Sequence, residues 1–174
     1  MSLQIGVWIA GAVLLFWTVG AYNRLVRLRN AIVGCFDPVD RHVALRHALL
    51  QQQIEAVRTV LAPAADRVEA LSAASQQADM ARAHAKAHPG APGAIKSLRL
   101  ADDILAEARA RLPVSSVGGV DLSELNTQLA ANETALEFAR RQFNAAVLEY
   151  NAAVRQMPTR LISALFGFAP AGPL

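Results

Sequence analysis

The first stretch of the chain, residues 3–21, is apolar on every side. It reads LQIGVWIAGAVLLFWTVGA and contains no charged residue. At about 1.5 Å of rise per residue, a helix of this length extends roughly 28 Å, close to the thickness of the hydrocarbon core of a bilayer. The pattern therefore predicts a single transmembrane helix, with Trp8, Trp17 and Tyr22 as amphipathic rings for the membrane interfaces.

After this stretch, apolar residues recur every three or four positions, which is typical of amphipathic helices. The spacing predicts helices over residues 22–61, 64–87, 94–112 and 121–157. On the first of these helices the apolar stripe consists of Leu25, Leu28, Ile32, Cys35 and Val39. Pro38 either kinks the first of these helices or begins a new one after a short break. The longest regular stripe lies on the last helix and consists of Leu122, Leu125, Leu129, Asn132, Leu136, Ala139, Phe143, Val147, Tyr150, Val154 and Met157.

Proline and glycine separate the predicted helices at Ala62-Pro63, at residues 88–93 and at residues 113–120. No segment alternates with a period of two, so the fold class is all-α. We expect residues 1–22 to be an anchor that continues into an elongated antiparallel bundle of about four helices, residues 23–174. The apolar tail, residues 161–170, is too short to span a bilayer, so it either packs on the bundle or lies at the membrane surface.

Composition and charge give the predicted anchor a direction. Hydrophobic residues make up 53% of the 174 residues but aromatic residues only 6%, a balance that favours helices. The net charge is +3, and Arg24, Arg27 and Arg29 directly follow the apolar stretch, which no Lys or Arg precedes. By the positive-inside rule, the N-terminus lies outside the cell membrane and the rest in the cytoplasm. The position of these arginines favours contact with anionic lipid over nucleic acid.

Two other interpretations of the apolar stretch remain open. Val19-Gly20-Ala21 has the small residues of a signal-peptide cleavage site, which would release a secreted helical protein. However, a signal peptide has a positively charged beginning, which this chain lacks, and usually a shorter apolar core. A core helix of a soluble bundle would show a polar face, and this stretch has none.

Two blocks of sequence resemble one known family. The first is YNRLVRLRN at residues 22–30, followed by Val39-Asp40 and Arg46-His47. The second contains Asn144 and Tyr150-Asn151, then Pro158 and LFGFAP at residues 165–170. Together they resemble the opening and closing patterns of the LemA family of bacterial membrane-anchored helical proteins, whereas residues 63–120 match poorly. The resemblance implies a single-pass anchor, a cytoplasmic antiparallel helical bundle and no established enzymatic activity.

Polar residues recur at both ends of the predicted bundle. If the first and last helices are antiparallel, these residues form either a polar clasp between helices or a docking surface for a partner. Phe166 and Phe168 either pack in the core or contact the membrane surface. We also expect Arg24, Arg27 and Arg29 to contact the membrane surface. The predicted clasp consists of Tyr22, Asn23, Asn30, Asp40, Arg46 and His47 on the first helix and Asn144, Tyr150 and Asn151 on the last.

Candidate chemistry is sparse. His84 and His88 are four residues apart, a spacing that can place two imidazoles around one metal, with Asp79 as an acidic neighbour. The sequence has no HExxH motif, no CxxC pair and no glycine-rich phosphate loop. The sequence thus favours a non-enzymatic, membrane-anchored scaffold without a cofactor, whose partners are the lipid bilayer and a protein at the membrane. A metal-dependent regulator or enzyme that uses His84 and His88 is the alternative.

Overall fold

A computed structural model describes residues 2–58, 65–111 and 121–174 of the chain. Within these ranges the secondary structure is α-helical with no strand, which confirms the predicted all-α bundle. The predicted break at Ala62-Pro63 and connection at residues 113–120 lie outside the described residues. The helices are α1 (Ser2–Arg58), α2 (Ala65–Ala87), α3 (Pro92–Ala110), α4 (Ser123–Arg155) and α5 (Thr159–Phe166).

Helix α1 continues without interruption through Pro38. Proline has no N–H to donate to the carbonyl of Gly34, but Gly34 is exposed, so water can hydrate that carbonyl. Phe36, not the predicted Cys35, occupies the centre of the buried stripe, and Cys35 is only partly buried. With Phe36 in the stripe, its three-and-four spacing continues across Pro38, so a break at this residue is not needed.

Contacts between the helices define an up-down-up-down bundle. Phe36 on α1 meets Phe143 on α4 edge to face, with ring centroids 5.6 Å apart, and Gln53 reaches Asn126, so α1 and α4 are antiparallel. Helix α2 returns along α1, and α3 packs mainly against α2. Across the described residues, α3 and α4 do not approach closely and are joined mainly through long charged side chains.

The bundle contains two apolar cores with polar residues between them. One core lies near the beginning of the body and contains Leu25, Phe36 and Phe143. The other lies at the far end and contains Leu50, Leu71 and Leu129. Large side chains in both cores are almost fully buried, so their burial stabilises the pairing of α1 with its neighbours by roughly 1.5–3 kcal/mol each.

The first part of α1 packs against no other described helix. Trp8 is 79% exposed and Phe16 is 77% exposed, whereas Leu25 on the same helix is fully buried. A core helix of a soluble bundle would bury such side chains, so that interpretation is wrong. The helix is long and apolar enough to cross a membrane.

The predicted apolar tail contains a fifth helix, α5, and packs on the bundle. Ile162 and Ala171 belong to the same core as Ala21 and Leu25. Gly90, in the turn between α2 and α3, lies next to Ile32 of α1, ten residues beyond Tyr22, which is about 15 Å along the helix axis. Residues 167–174 run beside α4 and connect the end of α5 with this turn.

Candidate functional site

A buried network of charges connects three helices between the two cores. Asp102 on α3 accepts hydrogen bonds from Arg46 on α1 and from Arg140 on α4. Glu133 on α4 accepts from Arg109 at 2.9 Å and lies 3.8 Å from Arg46. These ion pairs link α3 to both α1 and α4.

Three further hydrogen bonds align α1 with its neighbours. His42 Nδ1 lies 2.9 Å from the Asn132 side-chain oxygen, and the Asn132 amide donates to the His42 carbonyl at 3.0 Å. His47 Nδ1 lies 2.7 Å from Ser75 Oγ on α2. We name this set, with Arg46, Asp102, Arg140 and Gln53, the polar layer. It fixes the register of the helices because a shift would leave buried polar atoms unpaired.

Asp40 sits at the edge of the polar layer and bridges α1 to α2. Its carboxylate accepts from Arg82 at 2.6 Å and from Lys86 at 2.7 Å, and Arg82 also donates to Asp79 at 2.7 Å. Burial raises the pKa of Asp40, but the hydrogen bonds from Lys86 and Arg82 outweigh it and hold this pKa below its ordinary value. Burial lowers the pKa of Arg82, but Asp79 and Asp40 raise it overall. Both groups are therefore charged at neutral pH.

Three polar side chains of α4 hold the end of the chain. Tyr150 donates its hydroxyl to the Ala169 carbonyl at 3.0 Å. Asn151 and Asn144 each bond both the N–H and the carbonyl of one residue, Ala171 and Leu174 respectively. Burial raises the pKa of Tyr150, although the Arg29 guanidinium opposes this shift. The hydroxyl therefore stays protonated and remains a donor at neutral pH.

The turn between α2 and α3 holds the same terminal segment from the other side. Gly172 donates its backbone N–H to the Gly90 carbonyl at 3.1 Å. A Cβ at Gly172 would lie 2.7 Å from Pro92 Cα, so no larger residue fits this contact. We name residues 167–174 with these contacts the terminal strap. It joins α4 to the α2–α3 turn.

The structure divides the predicted clasp into two separate sets of contacts. Asp40, Arg46 and His47 bond to α2 and α3, whereas Asn144, Tyr150 and Asn151 bond to the terminal strap. In the described structure, these α1 residues therefore do not bond directly to Asn144, Tyr150 or Asn151. Asn23 and Asn30 are exposed and make no side-chain hydrogen bond among the described residues. The sequence did not indicate the observed partners of Asp40, His47 and Arg46, which are Arg82, Lys86, Ser75 and Asp102.

Tyr22 joins the start of the body to α5 and the terminal strap. Its ring meets Phe166 and Phe168 edge to face, with centroids 5.1 and 5.7 Å away. Phe168 is half-buried against the core, whereas Phe166 remains exposed. Arg24, Arg27 and Arg29 follow Tyr22 within two turns of α1 and are exposed. The end of the apolar helix therefore carries both aromatic and basic side chains.

The two candidate metal ligands lie on the surface of α2 and the following turn. The rings of His84 and His88 are 5.1 Å apart, and both side chains are exposed. Asp79 is engaged by Arg82. Among the described residues, no group of three or more His, Cys, Asp or Glu side chains is arranged to hold a metal ion.

Fold and contacts together define a helical bundle extended by an unpacked apolar N-terminal helix and closed by a terminal strap. The sequence profile of the LemA family matches residues 36–173. This chain belongs to the LemA family. The match includes the polar layer and all but the last residue of the terminal strap, and it covers the central helices in which the resemblance was weak. No curated protein matches the sequence.

Proposed function

We propose that this chain is a non-enzymatic scaffold anchored in the cell membrane, which presents its bundle to a protein partner. Residues 1–22 form the anchor, and residues 23–174 form the bundle. The observation that carries the proposal is the contrast within α1, where residues 4–20 are exposed apolar helix and the stripe from Ala21 onward is packed. Exposed apolar side chains on every face are stable in lipid and costly in water.

The charges beside the anchor support a cytoplasmic bundle and an outward N-terminus. Arg24, Arg27 and Arg29 are exposed at the start of the body, directly after the apolar segment. Such a basic flank is retained on the cytoplasmic side of a bacterial inner membrane and is attracted to anionic headgroups.

The use of the buried charged groups supports a structural role for the polar layer. Asp102 and Asp40 each accept from two cationic side chains on other helices. A general base would require a carboxylate poised to take a proton near neutral pH. The lowered pKa of Asp40 works against that role.

The seam between α3 and α4 is the surface that we assign to the protein partner. One cleft along this seam is lined by Ala106, Arg109 and Asn126, and another by Asp103, Glu133 and Arg140. Charged and polar side chains therefore predominate along the seam. A partner segment of complementary charge can bind such a surface through ion pairs and hydrogen bonds.

Orientation is tested by labelling cysteine variants in intact cells with a membrane-impermeant maleimide. Cys35→Ala removes the native thiol. Gln4→Cys then places one thiol at the outer end of the anchor, and Lys96→Cys places it at an exposed position on the bundle. We expect labelling of Gln4→Cys from outside and of Lys96→Cys only after permeabilisation. The reverse pattern would contradict the orientation. The intact mass of the membrane-bound chain distinguishes an anchor from a cleaved signal, because cleavage would remove residues 1–21.

The partner surface is tested by photo-crosslinking in native membranes. A photoreactive benzoylphenylalanine is placed at Asp103, at Ala106 or at Leu45, an exposed control on α1. We expect one discrete adduct that is common to Asp103 and Ala106 and absent at Leu45, with its partner identified by mass spectrometry. Equal adducts at all three positions, or none at the seam, would exclude the seam as the docking surface.

A further inference from the structure

Helix α5 lies at the point where α1 leaves its apolar segment. Since α4 is antiparallel to α1, its C-terminal end returns to the beginning of the body, and α5 follows directly. Ile162 shares a core with Ala21 and Leu25, and Phe166 contacts Tyr22. The position of α5 along α1 is thus fixed by contacts on two of its turns.

The two faces of α5 differ sharply. Thr159, Ile162 and Ser163 are buried, and Ser163 Oγ lies 3.1 Å from the Val154 carbonyl. On the other side, Leu161 is 61% exposed and Leu165 is 74% exposed, whereas Phe166 lies against Tyr22 and is 51% exposed. Two large apolar side chains on this eight-residue helix are thus left largely uncovered in the described structure.

We propose that α5 lies in the plane of the bilayer interface, with Leu161 and Leu165 inserted among the lipid chains of the anionic cytoplasmic leaflet. The proposal rests on the anchor described above, because the anchor places this height of α1 at the membrane surface. At about 1.5 Å per residue, α5 is roughly 12 Å long, too short to span the bilayer but suited to lie along its surface.

The surroundings of α5 favour lipid over a protein partner. Its exposed face is continuous, through Phe166 and Tyr22, with the apolar surface of α1. Arg24 and Arg27 follow Tyr22 by two and five residues on α1, Arg160 lies in the first turn of α5, and all three are exposed. Apolar insertion together with adjacent arginines matches the chemistry of an anionic membrane surface, where headgroups lie directly above the hydrocarbon.

Spin labels on the full-length chain in lipid nanodiscs test the proposal. In a Cys35→Ala background, one label each is attached through Leu165→Cys, Val13→Cys within the apolar segment, or Leu148→Cys, a 72% exposed control on α4. Power saturation measures access of each label to oxygen, which concentrates in lipid, and to a nickel chelate, which stays in water. We expect the Leu165 label to share with the Val13 label high oxygen access and low nickel access, with the opposite pattern at Leu148.

The outcomes separate the α5 proposal from the anchor. Nickel access at Leu165 equal to that at Leu148, with Val13 still protected, would overturn the α5 proposal and leave the anchor standing. Low access to both reagents at Leu165 would show a protein contact and would also overturn it. Nickel access at Val13 would overturn the anchor and the α5 proposal together.

In nanodiscs without anionic lipid, we expect the Leu165 label to lie less deep in the bilayer. An unchanged depth would overturn the contribution of the arginines.

Discussion

Asn144 and Asn151 stand seven residues apart on α4, two helical turns on one face, and each holds one residue of the terminal strap by both of its backbone polar groups. Asn151 Nδ2 donates to the Ala171 carbonyl at 2.9 Å, while its Oδ1 accepts from the Ala171 N–H at 2.8 Å. Asn144 repeats this arrangement at Leu174, with both distances 2.8 Å. Only a carboxamide supplies a donor and an acceptor side by side in this way.

We predict that Asn151→Ala destabilises the bundle by about 1–2 kcal/mol, because two hydrogen bonds are lost and the backbone groups of Ala171 are left unpaired. Urea unfolding of the full-length chain in detergent micelles measures the loss, and hydrogen exchange should show faster exchange of the Ala171 amide. Gln142→Ala, at an exposed site on the same helix, should change stability by less than about 0.5 kcal/mol. An unchanged Ala171 exchange rate in Asn151→Ala would contradict the role of this contact.

Asp102→Ala should destabilise the bundle by about 3 kcal/mol or more, because the buried Arg46 and the partly buried Arg140 lose their shared anion. Asp103→Ala is a matched control, since Asp103 is the exposed neighbour. The double variant Arg46→Met with Asp102→Leu should recover much of the loss because it removes the buried charges together. The three unfolding free energies are compared by urea titration. Equal losses in Asp102→Ala and Asp103→Ala would exclude a special role for Asp102.

Asp40 should make stability depend on acid pH. Its pKa is lowered in the folded protein, so its contribution is fully present above the ordinary carboxyl pKa, about 4, and is lost as pH falls below it. The difference in unfolding free energy between the native chain and Asp40→Asn should therefore be largest near neutral pH and shrink below about pH 4. Asp37→Asn, at an exposed position on the preceding turn, is the control. A difference that is constant from pH 7 to pH 3 would refute the ionic role of Asp40.

Gly172→Ala and Gly93→Ala should change stability in opposite directions. A methyl group at Gly172 would press on the Pro92 backbone and separate the terminal strap from the α2–α3 turn, a loss of about 1–3 kcal/mol. At Gly93 nothing lies within 4 Å and the residue is helical, so alanine should stabilise by up to about 1 kcal/mol. Thermal unfolding followed by circular dichroism distinguishes the two. A stabilising Gly172→Ala would show that the close contact with Pro92 is absent in solution.

The parts of the fold that depend on local periodicity could be predicted from the sequence. The stripe from Leu129 to Val154 is buried as its spacing indicates, and Asn132 within it marked the polar layer. The spacing predicts Cys35 in the core, where the structure has Phe36, because both positions fit an interval of three or four residues. Only the packing of Phe36 against Phe143 decides between them. Periodicity also does not show that Pro38 stays inside a helix.

The polar partners could not be predicted in the same way, because the sequence does not show which helices are neighbours. Asp102 follows the buried Ala101 on α3, a position that indicates a buried carboxylate. However, the two side chains that bond to it, Arg46 and Arg140, lie 56 and 38 residues away along the chain. The LFGFAP block was identified as a family pattern, yet its connection to Tyr150 and Asn151 depends on the chain folding back after α5. Such contacts are set by tertiary geometry.

The uninterrupted course of α1 has a mechanical consequence. Its 57 residues form a rod of roughly 85 Å, and one rod serves both the apolar segment and the bundle. A transmembrane helix matches a thinner or thicker bilayer by changing its tilt. Because no hinge separates the two parts of α1, a change of tilt swings the far end of the bundle through a wide arc. With the proposed anchor in a bilayer, the bilayer thickness would thereby set how far the α3–α4 seam stands from the membrane.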